Sequence, residues 1–71
     1  MATLVKANMA GTVWKIVVSE GEQVQEGQDV VILESMKMEI PIAAEANGVV
    51  KKIFVQEGDF INVDDDILEI E

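Results

Sequence analysis

The residue with the most suggestive chemistry in this sequence is Lys37, which lies between Met36 and Met38. A neutral lysine amine is a nucleophile that can form covalent bonds with an activated group. Methionine side chains are unbranched and polarizable, and exposed patches of them commonly serve in recognition. We therefore expect Lys37 to enter the active site of another protein, with Met36 and Met38 as flanking recognition residues.

The local sequence predicts that Lys37 lies at the tip of a hairpin. Residues 30–34 and 38–43 each have the composition of a strand, so the chain must reverse near Met36 and Lys37. Two-residue hairpin turns strongly prefer Asn-Gly, Asp-Gly or Gly-X, and Met-Lys fits none of these. Because sequences tend to break local rules at functional sites, the tip of the hairpin spanning residues 30–43 is the candidate site.

The residues around Lys37 have alternative interpretations. Met38 shares strand parity with the isoleucines at 40 and 42, so it could complete the core face instead of being exposed. Met36 follows Glu34 on the same parity, and we expect it to be exposed. Glu34 and Glu39 could contact a partner enzyme, or could form a solvated rim that prevents edge-to-edge pairing of the hairpin.

The rest of the chain predicts the β structure that must position this tip. Its apolar residues occur in short, β-branched runs separated by acidic residues and glycines, which indicates six to eight strands and an all-β fold. The runs are residues 4–7, 13–18, 30–33, 38–43, 49–55 and 67–70, with Val24 and Phe60-Ile61 as single anchors between them.

An internal repeat organises these strands. A shift of 37 residues aligns residues 11–34 with residues 48–71 without a gap. Two such halves are expected to pack face to face as a small sandwich or flattened barrel with a pseudo-twofold axis, with Ile16 and Ile53 facing the shared core. The identical pairs are Gly11/Gly48, Val13/Val50, Lys15/Lys52, Ile16/Ile53, Val18/Val55, Glu20/Glu57, Gly21/Gly58, Asp29/Asp66 and Glu34/Glu71.

Length and composition exclude several classes of function. A chain of 71 residues can form one small core, so residues 1–71 are predicted to be a single domain without a substrate cleft. The sequence contains no cysteine and no histidine, which removes the thiol nucleophile, the imidazole base and the softer metal ligands. We therefore expect a protein that is not an enzyme.

The net charge and the sequence pattern exclude several classes of partner. The formal net charge of -9 disfavours binding to nucleic acids and to anionic membranes. Asp64, Asp65 and Asp66 are adjacent, and three neighbouring carboxylates cannot all converge on one ion, so we expect a solvated turn and no metal site. The sequence shows neither a leader pattern nor a membrane-spanning run, which predicts a cytoplasmic protein, and we expect it to be a monomer.

Several of these segments resemble a known family. Residues Glu34, Ser35, Met36, Lys37 and Met38 resemble the Glu-Ala-Met-Lys-Met signature of biotinyl domains. Residues 7–13 are similar to the opening stretch of that family, and residues 20–27 and 57–68 resemble its glycine loops and closing strand. The tripeptide Met-Lys-Met alone is weak evidence for the family, but its position between the halves of the repeat makes the resemblance specific. The chain is most similar to the short biotin/lipoyl attachment proteins of the biotin carboxyl carrier type.

This resemblance implies a fold and a function. The fold is a barrel-sandwich hybrid of two four-stranded antiparallel sheets. The function is that of a carrier: a biotin protein ligase joins biotin to Lys37, and the biotin carries a carboxyl group between a biotin carboxylase and a carboxyltransferase. Glu34, Ser35 and Glu39 are the candidate ligase contacts. The carrier itself catalyses nothing, and deprotonation of the amine must come from the ligase.

The sequence also departs from the family pattern. Ser35 stands where alanine is usual, which bears on ligase preference. Asn8 and Ala10 stand where prolines are common, and we expect them to loosen the opening turn. No surplus segment interrupts residues 13–30, so the chain resembles carriers that lack a protruding thumb.

Two rival functions remain at this point. A lipoyl carrier has a similar fold and carries its lysine at the matching hairpin, but typically with Asp before and Ala after the lysine. The methionines favour biotin, while acceptance of lipoate in addition stays open. The other rival is an unmodified acidic β-barrel that binds a basic partner by charge, which leaves Met36 and Met38 without a role.

Overall fold

The computed structural model describes residues 2–71, which fold into eight strands. In this part of the chain no helix is long and apolar enough to cross a membrane. Every apolar run predicted from the sequence overlaps a strand, although the runs 4–7, 13–18 and 49–55 extend one or two residues beyond the strand ends. The strands are β1 (Thr3–Lys6), β2 (Gly11–Ile16), β3 (Gln23–Val24), β4 (Asp29–Ser35), β5 (Met38–Ala43), β6 (Gly48–Ile53), β7 (Phe60–Ile61) and β8 (Asp66–Ile70).

The strands form two four-stranded antiparallel sheets that face each other. The hairpin sheet has the order β5-β4-β2-β7 and the terminal sheet has the order β1-β8-β6-β3. Strand β7, from the second half of the chain, pairs with β2, and β3, from the first half, pairs with β6. Because the halves exchange their short strands, neither sheet is complete without the other half. The predicted fold class is confirmed.

Glutamate side chains tie the two halves together reciprocally. Glu57 Oε2 accepts a hydrogen bond from the Ile16 backbone N–H at 3.0 Å, and Glu20 Oε2 accepts one from the Ile53 N–H at 2.9 Å. Each bond joins residues from opposite halves. The presence of glutamate at both position 20 and position 57 therefore has a structural cause. Each carboxylate accepts a hydrogen bond from a backbone N–H at a strand end, which needs a partner.

The structural repeat extends further than the sequence repeat. The Ala7 N–H donates to the Asp65 carbonyl at 2.9 Å, and the Ala44 N–H donates to the Gln28 carbonyl at 2.8 Å, so these bonds are also related by 37 residues. Strand β1 pairs with β8 as β5 pairs with β4. The pseudo-twofold axis therefore relates residues 3–34 to residues 40–71, and it exchanges the hairpin tip with the chain ends.

The core lies between the sheets. Its buried side chains are Val5, Ala7, Val13, Val18, Val24, Val30, Val31, Leu33, Ile42, Ala44, Val50, Val55, Ile61, Ile67, Leu68 and Ile70. The prediction for Ile16 and Ile53 was partly wrong, because both are only half-buried and pack against the edge of this cluster. The pairing register shifts between Val13 and Lys15, and again at the equivalent point of β6. These bulges keep the lysines outside and place the isoleucines at the rim.

The apolar anchor predicted at residues 60–61 also needs correction. Ile61 is buried, but Phe60 is 66% exposed. The two residues are neighbours in β7, so their side chains point to opposite faces of the sheet. Phe60 therefore lies on the outer face of the hairpin sheet, not in the core.

Candidate functional site

Met36 and Lys37 form a two-residue turn between β4 and β5. Ser35 pairs with Met38, and the φ angles of Met36 and Lys37 are 53° and 65°. Positive φ at both central residues is the pattern of a type I′ hairpin turn. A left-handed conformation costs a residue with a Cβ atom about 1–2 kcal/mol. Met36 and Lys37 are therefore unfavourable residues for the turn that they form. The tip of this hairpin is strained, and Asn-Gly at these positions would relieve the strain.

Both flanking methionines lie on the surface. Met36 is 91% exposed and Met38 is 62% exposed. The prediction for Met36 is confirmed, and the open question for Met38 is resolved in favour of exposure. Met38 does lie on the same face of β5 as Ile42. Burial decreases along this face towards the tip, however, and Ile40, between the two, is only half-buried. The tip thus presents two apolar side chains on either side of an amine.

Lys37 differs from the other lysines in its surroundings. Two lysines form ion pairs, and in each the carboxylate hydrogen bond raises the lysine pKa. Two more lie over aromatic rings. These contacts are Lys6–Asp66 at 2.9 Å, Lys51–Glu71 at 3.1 Å, Lys15–Trp14 at 5.5 Å and Lys52–Phe54 at 5.6 Å. Within residues 2–71, Lys37 is the one lysine with neither kind of partner, so its amine extends from the tip without an internal competitor.

The acids beside the turn face each other across the hairpin. Glu34 pairs directly with Glu39 in the β4–β5 register, and both are exposed. Like charges directly opposite each other destabilise a sheet. The arrangement keeps both carboxylates in water, as a solvated rim requires, but the fold gains nothing from placing two of them together. Both interpretations of these acids, a solvated rim and a contact with a partner enzyme, fit exposed carboxylates at this position.

Gly11 supports the base of the hairpin, a role that sequence reasoning missed. A Cβ atom at this position would lie 2.9 Å from the Glu34 carbonyl oxygen and 3.6 Å from the Cβ of Ser35. The absent side chain lets β2 approach the last residues of β4 closely. Ser35, the predicted site residue that ends β4, is half-buried in this contact. The turn therefore stands on a closely packed base.

The aspartate cluster is accounted for by local structure. Asp64 has a φ of 73° and occupies the position equivalent to Gly27, whose φ is 88°. Asp65 Oδ2 accepts a hydrogen bond from the Asn62 N–H at 2.8 Å, and Asp66 pairs with a lysine. The carboxylates of Asp65 and Asp66 thus make different local contacts, and Asp64 adopts the left-handed conformation at this turn.

Comparison with known proteins decides the family. The family model described as biotin-requiring enzyme, the biotin/lipoyl model, matches residues 2–70. The chain belongs to the biotin/lipoyl attachment family. Members of this family include a biotin/lipoyl attachment protein of Bacillus subtilis, which is 53% identical over 66 residues, 93% of this chain and 90% of that protein.

Two further relatives show the range of the family. The biotin carboxyl carrier protein of Streptococcus mutans is 41% identical over 69 residues, which cover 97% of this chain and 53% of that protein. In the crystal structure of the urea carboxylase of Kluyveromyces lactis, a domain with a TM-score of 0.94 and 34% identity matches 100% of this chain and 6% of that enzyme. Homologous domains therefore occur both in small proteins and within carboxylases.

These relatives favour biotin over lipoate as the attached group. One is named a biotin carboxyl carrier protein and another is a carboxylase, so the chain is a biotin carrier of the biotin/lipoyl family, and its cofactor is covalently bound biotin. The described residues fit that group, because an exposed lysine without an internal partner at a protruding turn can be reached by a modifying enzyme.

Proposed function

We propose that Lys37 is the residue that a biotin protein ligase biotinylates, and that the protein then carries a carboxyl group from a biotin carboxylase to a carboxyltransferase. The observation that carries this proposal is the setting of Lys37. It lies at a strained turn between two exposed methionines and contacts no acid or ring among residues 2–71.

The chemistry required of Lys37 is a single acyl transfer. Its Nζ attacks the acyl carbon of biotin that the ligase has activated; a C–N bond forms, the activating group leaves with its electron pair, and Nζ loses a proton. A lysine held in an ion pair would have to break that pair first. The absence of such a pair at Lys37 within residues 2–71 removes this step.

When attached, biotin supplies the ring nitrogen that holds CO2, and the protein supplies position. The hairpin presents the attachment point on a short, two-residue turn whose base is packed against Gly11. A rigid attachment point limits the volume that the long arm explores, which raises its effective concentration at a partner site.

We propose that the protein is itself not catalytic, and that it is a cytoplasmic monomer on which these partner enzymes act. Its sequence has neither histidine nor cysteine. No carboxylate forms an ion pair with Lys37 in the described residues, so none is held in contact with its amine to take the proton. The acid, base and electrophile must all come from the partners.

Carboxylation of the modified protein tests this proposal. The biotinylated protein, supplied at saturating concentration with a biotin carboxylase, ATP, Mg²⁺ and radiolabelled bicarbonate, is expected to accept label that is stable at alkaline pH and lost in acid. The unmodified protein under the same conditions is the control. If the biotinylated protein accepts no label from several carboxylases, the role in carboxyl transfer is wrong, even if biotin is attached.

The methionines are expected to determine which cofactor is attached. The double variant Met36→Asp, Met38→Ala replaces both exposed apolar flanks with residues typical of lipoyl carriers. We expect it to shift acceptance from biotin towards lipoate without unfolding, since both side chains are exposed. The measurement is intact mass after incubation with biotin and lipoate ligases in competition. Val17→Ala is the control, because Val17 is an exposed apolar residue whose N–H donates to the Val30 carbonyl at the end of β4 opposite the tip. Unchanged discrimination by the double variant would contradict the assignment.

A further inference from the structure

A row of side chains crosses the outer face of the hairpin sheet next to the tip. Thr12 of β2 pairs with Phe60 of β7 on one side and with Glu34 of β4 on the other, and Glu34 pairs with Glu39 of β5. Residues directly opposite each other in an antiparallel sheet share a face. The exposed Phe60 and the acid pair beside Lys37 therefore belong to one continuous surface.

The pseudo-twofold axis provides an internal comparison for this row. In the terminal sheet the equivalent row runs from Gln23 through Val49 to Glu71. Gln23 takes the same place in the fold as Phe60, so the fold itself does not require an aromatic residue there. Phe60 is nevertheless 66% exposed. The ring is therefore available for binding at a position where the fold accepts glutamine, and aromatic residues are enriched among those that contribute most to binding.

A second difference between the halves concerns charge. Glu71, the equivalent of Glu34, forms an ion pair with Lys51 at 3.1 Å. The residue equivalent to Lys51 in the first half is Trp14, which is 42% exposed. Near the hairpin tip an aromatic ring, Trp14, thus replaces the lysine that neutralises Glu71 in the terminal sheet. Glu34 consequently forms no ion pair among residues 2–71.

We propose that Phe60 and Trp14, with the unneutralised Glu34 and Glu39, form the surface on which biotin protein ligase docks, the aromatic side chains filling an apolar depression bordered by basic residues. This rests on the proposed function of Lys37. Aromatic side chains commonly supply the largest part of binding energy at protein interfaces, and opposite charge around them accelerates and orients the encounter.

The ligase is the partner favoured by the position of this surface. It must bring the Lys37 Nζ itself to activated biotin, so it has to contact the protein immediately beside the turn. A carboxylase instead acts on the ring at the far end of the attached arm, so its chemistry does not require contact with the residues beside the turn. The row of side chains begins at the acids that flank the turn, so it lies where the ligase must contact the unmodified protein.

Substitutions copied from the other half of the repeat test this surface. Phe60→Gln introduces the residue that the fold already uses at the equivalent position. With saturating biotin and ATP, we expect the KM of the ligase for the unmodified carrier to rise about tenfold or more, with kcat at saturating carrier within about twofold of the parent. The matched control, Val49→Thr, copies Thr12 into the terminal row and is expected to leave KM unchanged. Urea midpoints of both variants check that they fold.

A second variant tests the charge difference. Trp14→Arg places a cation where the equivalent Lys51 neutralises Glu71, and it adds no new acceptor amine. We expect KM to rise, and the fall of kcat/KM with added KCl to become shallower, because one carboxylate no longer faces the partner. A purely structural role for Trp14 would change the urea midpoint but not the salt dependence.

The outcomes separate this proposal from the proposed function. If the parent is biotinylated and Phe60→Gln and Trp14→Arg are biotinylated with the parent's KM, the docking surface is wrong and the carrier function stands. If these variants are biotinylated normally but then accept less label from a biotin carboxylase, the surface serves the carboxylase and the ligase assignment is overturned. If the parent gains no biotin at all, both proposals fail.

Discussion

Replacing Lys37 with arginine is expected to abolish biotinylation completely. Arginine keeps the positive charge and much of the side-chain length, but its guanidinium stays protonated and is not a nucleophile at neutral pH. The turn should be unaffected, because Lys37 makes no ion pair or ring contact in the part of the chain described by the structure. The measurement is intact mass after coexpression with a biotin ligase in the presence of biotin: one added biotinyl group in the parent, none in Lys37→Arg.

The other lysines provide the controls for this experiment. Lys15→Arg removes an amine that lies over Trp14, and Lys51→Arg removes one that is paired with Glu71. Both variants are expected to gain one biotinyl group, which peptide mapping should place on Lys37. Full labelling of Lys37→Arg, or labelling spread over several lysines of the parent, would exclude a single acceptor and with it the proposed carrier site.

The sequence predicts the fold well because two of its signals have direct structural causes. Short β-branched runs separated by glycines have few alternatives to strands, and the 37-residue repeat requires equivalent halves that share a core. The hairpin tip was predictable for a different reason. Met36 and Lys37 are unsuited to the turn that the flanking strands require, and the positive φ angles show that the turn forms regardless.

What the sequence could not supply is the pairing between halves. Whether a strand residue is buried depends on which strand lies beside it and on bulges, and both are set by contacts distant in the chain. The bulges in β2 and β6 place Ile16 and Ile53 at the rim of the core instead of inside it. Likewise, nothing in the sequence near Phe60 indicates that β7 pairs with β2, which brings Phe60 into the row of Glu34.

Stability measurements should separate the core from the site. Leu68 is fully buried at 0% exposure in β8, so Leu68→Ala should lower the free energy of unfolding by about 2–5 kcal/mol, from loss of apolar burial and the cavity left behind. That is a large share of the ~5–15 kcal/mol typical of native proteins, and less is expected for the half-buried Ile16.

Lys37→Gly is expected to behave in the opposite way. Lys37 has a φ of 65°, a conformation that glycine adopts without the strain of a Cβ atom, although the more flexible unfolded chain offsets part of that gain. We expect the free energy of unfolding to stay constant or to rise by up to about 1 kcal/mol. Urea melts of the parent, Leu68→Ala and Lys37→Gly measure this. A loss for Lys37→Gly as large as that for Leu68→Ala would mean that the lysine holds the fold together. A gain would mean that the protein tolerates a strained turn in order to keep an amine at its tip.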